Sequence, residues 1–219
     1  MSRMLPAALL AAVLLSGCSS GSPGDPAATA SAATSSASTP SSRSADPSAA
    51  PTTGSGTPVG DPALREELLA MLERDQAGRT GGEDPEGDPA RTRRLAEILD
   101  RHGWPIRDLV GEDGAEAAWA VAQHSDLDPA FQRRALELLR QAVAAGQASA
   151  GDLAYLTDRV ATGAGEPQTY GTQVACTPDG PRPATPLVDA AAVERLRAEA
   201  GLQSYADYLA EMATVCAEE

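Results

Sequence analysis

The feature that most constrains this chain is an abrupt change of composition at Asp61. From Ser19 to Gly60, only Asp25, Arg43, Asp46 and Val59 are not Ser, Ala, Thr, Pro or Gly. Such a stretch has no apolar periodicity and cannot bury enough surface to offset its ordering entropy. A folded core must therefore come from Asp61 to Glu219. A chain of about 160 residues can bury close to 70% of its unfolded surface, so one real core is within reach. Residues 18–60 read as a disordered tether. As a flexible coil it spans about 35 Å on average, and stretched it reaches about 140 Å.

The segment before the tether reads as an export signal over residues 1–17. Arg3 supplies the positive charge, and Leu5 to Leu15 form an apolar run too short for a permanent bilayer span. Leu15-Ser16-Gly17-Cys18 follows directly and resembles a bacterial lipobox. It has small residues before the cut and a thiol after it. Lipidation of Cys18 with two acyl chains would give stable anchoring. The expectation is a lipid-anchored protein on the extracytoplasmic face of the cell membrane, with the membrane as its first partner. An ordinary secretory signal with an incidental Cys is the simpler alternative.

Charge narrows the partners further. The chain has 17 basic residues, 31 acidic residues and a net charge of −14. Excluding Arg3, Arg43, Asp25 and Asp46 leaves 15 Arg and 29 acids from Asp61 onward, so the whole −14 belongs to that part. Such a surface repels phosphate backbones, which argues against nucleic-acid binding. Lys and Asn are both absent, a pattern that fits a GC-rich coding bias rather than a chemical role.

Helix signals dominate residues 61–219. Asp61-Pro62 pairs an N-cap with Pro at the first helical position, and Leu64, Leu68, Leu69 and Leu72 share one face. Asp88-Pro89 predicts a second helix, stopped by Gly103 and Pro105, and Asp113 a third running to His124. Asp128-Pro129 opens a fourth, with Phe131, Ala135, Leu138, Leu139 and Val143 inward. Ser149 and Asp152 resemble a capping box for a fifth. Asp189 is expected to cap a sixth, and Ser204 with Asp207 a seventh. Between the fifth and sixth lies a Gly/Pro-rich stretch, with a β-prone run from Thr169 to Ala175 and a turn at Pro178-Asp179-Gly180. The fold class is mainly α: a compact domain of about seven helices with one irregular loop or short β-hairpin.

Once lipidation takes Cys18, Cys176 and Cys216 remain. Two thiols in an oxidising compartment suggest one disulfide, closing a loop of about 41 residues; two free buried thiols are the alternative.

The candidate chemistry lies at helix ends. His102 and His124 are the only histidines, each in a last helical turn. Imidazole suits proton transfer near neutral pH, and Asp126 could orient His124, so these three form the candidate catalytic set. For both rings the plain alternative is a helix C-cap, with Gly103 left-handed and Trp104 a hydrophobic cap contact. Candidate ligand-binding residues are Asp75, Gln76 and Arg79 at the end of the first helix, Trp104, Gln123, Asp158 and Arg159 near the end of the fifth, and Tyr170 and Gln173 on the irregular loop. An Arg can clamp a carboxylate or phosphate bidentately, though a structural ion pair would use the same groups. No metal site is expected, because His124-Ser125-Asp126 lacks a spacing that sets two ligands on one helical face. No cofactor is expected either: there is no P-loop, dinucleotide fingerprint or nucleophile elbow.

Arg101-His102-Gly103-Trp104-Pro105, Gln123-His124, Phe131-Gln132-Arg133-Arg134, Asp152 to Val160 and Tyr170-Gly171-Thr172-Gln173 together resemble an uncharacterised bacterial family, known as a domain of unknown function. The resemblance covers roughly Leu64 to Leu209. It implies one domain with polar signature residues at helix ends, and it implies no reaction. Two functions fit the sequence. The first is a membrane-anchored module that binds a small molecule or envelope ligand. The second is an envelope hydrolase or transferase using the His/Asp/Arg/Tyr set. Convergence of His102, His124, Arg159 and Tyr170 on one cleft would favour a site over scattered caps.

Overall fold

A computed structural model describes residues 60–218. The expected signal, the lipidated Cys18 and nearly all of the tether lie outside the described residues. Seven helices run in the order α1 (Pro62–Arg79), α2 (Gly87–His102), α3 (Arg107–Gln123), α4 (Pro129–Ala144), α5 (Ala150–Gly163), α6 (Val193–Glu199) and α7 (Tyr205–Ala217). A two-stranded antiparallel hairpin, β1 (Val174–Thr177) and β2 (Gly180–Pro183), lies between α5 and α6.

Local capping chemistry sets most helix starts. Asp61 accepts from the Leu64 amide, Asp128 from Phe131, Ser149 from Asp152 and Ser204 from Asp207, so each side chain satisfies an amide that the helix leaves free. Three starts differ from the sequence expectation. α2 begins at Gly87, which puts Asp88 in its first turn, where Arg79 and Arg91 bind it. α3 begins at Arg107 and breaks at Gly111 (φ 76°, ψ 173°), so Asp113 lies inside the helix and pairs with Arg65 instead of capping. Asp189 caps the turn at Ala191–Ala192 rather than α6 itself.

α3 is the central helix and packs against α1, α2, α4 and α5. Its face is small: Ala117, Ala118, Ala120 and Ala122 are buried. At Gly114 a Cβ would lie 2.9 Å from Val110 Cβ of the same helix and 3.3 Å from Arg65 Cγ of α1. Around α3, Leu64, Leu68 and Met71 of α1 meet Leu95, Ile98 and Leu99 of α2, Phe131, Ala135 and Leu139 of α4, and Leu156 of α5. A second, smaller cluster joins Val174 of β1 to Tyr208 and Met212 of α7. Beside it a Cys176–Cys216 disulfide links β1 to α7, with Cα atoms 5.4 Å apart. That spacing is within the usual disulfide range.

Candidate functional site

Two polar centres flank the turn between α3 and α4. The first gathers at the C-terminal end of α1. Asp75 is fully buried. Its carboxylate accepts from Gln76 Nε2 (2.9 Å) and from Arg79 Nη2 (2.9 Å). His124 Nδ1 lies 2.8 Å from its Oδ2. Arg79 also reaches Asp88 at 2.9 Å, and Arg91 reaches Asp84 at 2.7 Å. Burial alone would raise the Asp75 carboxyl, but the hydrogen bonds from His124 and Arg79 outweigh it and bring it down to about 2. The same Nδ1 lies 3.0 Å from Arg79 Nε, so this edge of the ring sits between a carboxylate and a guanidinium.

The second centre lies two residues further along the chain. Arg159 of α5 donates from Nε to Asp126 Oδ1 at 2.9 Å and from Nη2 to Asp126 Oδ2, a two-pronged contact. Its Nη1 donates to Gln173 Oε1 at 3.1 Å. Gln132 Nε2 of α4 donates to Asp126 Oδ1 at 3.1 Å and to the carbonyls of Ala122 and Gln123 at 3.2 Å. These side chains border a cavity of about 490 Å³, whose other walls include Pro129, Val160, Gly163, Val174 and Ala184. Arg133 also lines it. The cavity therefore joins an apolar wall to a guanidinium held in place by Asp126 and Gln173.

The loop bearing Gln173 is built by a buried carboxylate. Asp158 is fully buried and accepts from the amides of Thr169 (2.7 Å), Tyr170 (3.0 Å) and Thr172 (2.9 Å), and from Thr172 Oγ1 (3.0 Å). Burial still pushes its carboxyl up, against those four donors. On the far side, Arg197 Nη1 donates to the Tyr170 carbonyl at 2.9 Å, with its guanidinium 4.7 Å from the centre of the Tyr208 ring. Gln168 and Gln173 brace each other: the Gln173 amide donates to Gln168 Oε1, and Gln168 Nε2 donates to the Gln173 carbonyl, both at 3.0 Å.

The residues expected from sequence divide accordingly. Asp75, Gln76, Arg79 and His124 meet at the first centre; Asp126, Arg159 and Gln173 meet at the second. Asp158 and Tyr170 are loop-builders, Tyr170 through its backbone amide and carbonyl. Gln123 is buried and its Oε1 has no partner among the described residues. Trp104 is buried and lines a separate, smaller cleft. His102 is exposed at the end of α2, followed by left-handed Gly103 (φ 69°). Of His102, His124, Arg159 and Tyr170, only Arg159 lines the large cavity. The reason is rotation: successive side chains leave the helix end in different directions, so His124 turns to α1 and Asp126 to α5. Arg91, Asp84 and Gln132 were not among the candidate site residues, Gln132 standing only within the Phe131-to-Arg134 motif. Gln132 sits beside the apolar stripe of α4, a position where a buried polar side chain is unusual and marks a specific partner.

The chain belongs to a family of unknown function, DUF6624, which it matches over residues 62–215. No curated protein and no solved structure matches it.

Proposed function

We propose that this DUF6624 chain is a membrane-anchored extracytoplasmic lipoprotein whose helical domain binds a small ligand with an apolar body and an anionic or hydrogen-bond-accepting head. The observation that carries the reading is the cavity of about 490 Å³ beside the Arg159–Asp126–Gln173 triad. Ligand sites are commonly concave, mostly apolar and supplied with a few placed polar groups. Arg159 is fixed on three sides yet keeps unused N–H donors, because five N–H groups serve three bonds here. The lipobox at Cys18 and the tether after it would hold such a domain off the membrane surface.

An envelope hydrolase or transferase is the second reading. It draws on one observation, the carboxylate-oriented imidazole of Asp75 and His124. His124 is only 7% exposed and does not line the cavity, so the geometry supports binding better than turnover.

The test uses 1-anilinonaphthalene-8-sulfonate, which pairs apolar rings with an anion. The folded full-length chain should bind one equivalent with enhanced fluorescence. Arg159→Ala should weaken this by about tenfold or more, the loss of one charge-assisted contact. Gly163→Trp should also block it: Gly163 lines the cavity, and a Cβ there meets no atom within 4 Å. Equal binding by wild type and both variants would sink the reading. For the anchor, Cys18→Ala should move the protein from the membrane fraction to the soluble exported fraction, and unchanged retention would remove the lipoprotein claim.

A further inference from the structure

Two glutamines line the large cavity, and they differ in what they leave unused. Gln173 is spent: its Oε1 accepts from Arg159 at 3.1 Å, and its Nε2 donates to Thr172 Oγ1 at 3.1 Å. Gln132 is not. It is 4% exposed, and its Nε2 faces the carbonyls of Ala122 and Gln123 at 3.2 Å and Asp126 Oδ1 at 3.1 Å. Acceptors alone on that side fix which end of the amide is nitrogen, so Oε1 is the end left over. Among the described residues no group donates to it, and it is not sealed from solvent as the orphan Gln123 Oε1 is. A buried, pinned acceptor on a cavity wall without a donor calls for one.

The opposite need stands beside it. Arg159 keeps unused N–H groups, and Arg133 lines the same cavity, is exposed and forms no ion pair among the described residues. Asp126 is the only acid in the lining, and it already serves both Arg159 and Gln132. The main chain adds a third feature. Ala184 N–H donates to the Gln173 carbonyl at 2.8 Å, one step beyond the Val174–Pro183 pair of the hairpin. Alternation along an antiparallel ladder then turns the N–H and C=O of Val174 away from β2, and neither has a partner among the described residues. Val174 lines the cavity, while its side chain packs with Tyr208 and Met212.

One occupant must give a hydrogen bond to a neutral oxygen and bring negative charge to two guanidinium groups, on an apolar body. Gln132 and Arg159 both bind Asp126, so the donor and the charge must sit close together. A fatty acid has the charge and the body but no donor. A free amino acid has a donor, but one whose positive charge two arginines oppose. The last residue of a peptide carries a carboxylate and a neutral N–H on one carbon. The cavity of about 490 Å³ equals about sixteen waters' share of liquid, close to the heavy-atom count of a capped dipeptide.

We propose that the large cavity takes the carboxyl-terminal residue of an extended peptide. The terminal carboxylate lies on Arg159 and Arg133, the last amide N–H donates to Gln132 Oε1, and an apolar side chain packs on Val160. The preceding peptide group, a donor and an acceptor together, meets the unpaired N–H and C=O of Val174. This assignment rests on the ligand-site reading of the cavity and names the class of its ligand.

The experiment is calorimetry on the full-length chain, with competition against anilinonaphthalene sulfonate. The probes are N-acetyl-alanyl-leucine, its carboxamide, its ester analogue with oxygen in place of the leucine N–H, and octanoate. The peptide should bind and displace the dye, and the other three should each be about tenfold weaker or worse, since each lacks the charge or the donor. Arg133→Ala, at an exposed position, should weaken the peptide several-fold and leave the carboxamide unchanged. Gln132→Met should bring peptide and ester within about twofold, a ratio that a merely loosened site would not change. If that variant fails to fold, the wild-type ratio of peptide to ester carries the test. A longer peptide with the same ending separates the sources: its binding identifies a protein's chain end, its exclusion a free short peptide, and both uphold the assigned head group. Arg159-dependent dye binding with octanoate, ester or carboxamide as good as the peptide, or with no peptide binding, overturns this assignment and leaves the cavity reading standing. Dye binding indifferent to Arg159→Ala and Gly163→Trp removes the cavity reading and this one with it.

Discussion

His124 Nδ1 lies 2.8 Å from Asp75 Oδ2, tying the end of α3 to the last turns of α1 across 49 residues of chain. Asp75 is fully buried, so this contact replaces water that the carboxylate has lost. Its carboxyl is held at about 2, below its ordinary value of 3.8. A depressed folded value means that the ionised carboxylate stabilises the fold above the ordinary value, and that this stability is lost as pH falls toward 2. The linkage amounts to about 2 kcal/mol. Asp75→Asn should lower stability by about 3–5 kcal/mol at neutral pH, since it strips a buried charge from its partners. Denaturant titrations at pH 4.5 and pH 2.5 should then differ less for the variant than for wild type. An acid limb as steep in Asp75→Asn as in wild type would refute the assignment.

His124→Ala separates the two functional readings. It leaves Asp75 with Arg79 and Gln76, so the domain should still fold, less stable by about 1–3 kcal/mol for the lost buried hydrogen bond. Because His124 does not line the large cavity, anilinonaphthalene sulfonate binding should be unchanged. A variant of near wild-type stability that loses binding would move the ligand site to the first polar centre.

Cys216→Ser opens a loop of about 41 residues, and the chain-entropy account assigns that closure about 4 kcal/mol. The loss should be local at first. Neither cysteine belongs to the α1–α5 core; both sit beside the Val174–Tyr208–Met212 cluster. Hydrogen exchange should rise in the hairpin and α7 while α1 to α5 keep their protection. Uniform loss of protection would show that the molecule opens as one unit.

Asp158→Asn replaces an acceptor of three amides and one hydroxyl by a side chain with a single acceptor oxygen. Stability should fall by about 2–4 kcal/mol as backbone amides lose their partner. The 168–173 loop should loosen, and with it the Gln173 contact to Arg159. Anilinonaphthalene sulfonate affinity should therefore fall without any change to a cavity-lining residue. Full affinity in a destabilised variant would mean that the loop does not position the site.

Much of the fold could be read from the chain because its causes are short-range. Asp61-Pro62, Asp128-Pro129, Ser149 and Ser204 each act within three residues, and all four cap the helices expected of them. The hairpin turn at Pro178-Asp179-Gly180 is equally local. α3 escaped the same reasoning, because its break at Gly111 joins two helical pieces that side-chain periodicity does not separate. The candidate site was legible as a set of residues and not as an arrangement. Asp75, Arg79 and His124, like Asp126, Arg159 and Gln173, are residue types that suit a site, yet nothing in their spacing says that they form two centres. Arg197 was missed altogether: a buried arginine answered by carbonyls and tyrosine rings has no local signature.

By itself, then, the sequence determined where folding can begin, which segments become helices, and that two cysteines stand ready to pair. The tertiary structure alone decided which polar side chains meet. A cap or an apolar stripe depends on neighbours within one or two turns, whereas Asp75 finds His124 49 residues away and Asp126 finds Arg159 33 residues away. Those meetings depend on how closely helices cross and on the direction in which each side chain leaves its axis, about 100° per residue. His124 is the C-cap of α3 and Asp126 stands two residues beyond it in the turn before α4, and that step sends the one to α1 and the other to α5. Only packing around the alanine face of α3 sets that direction.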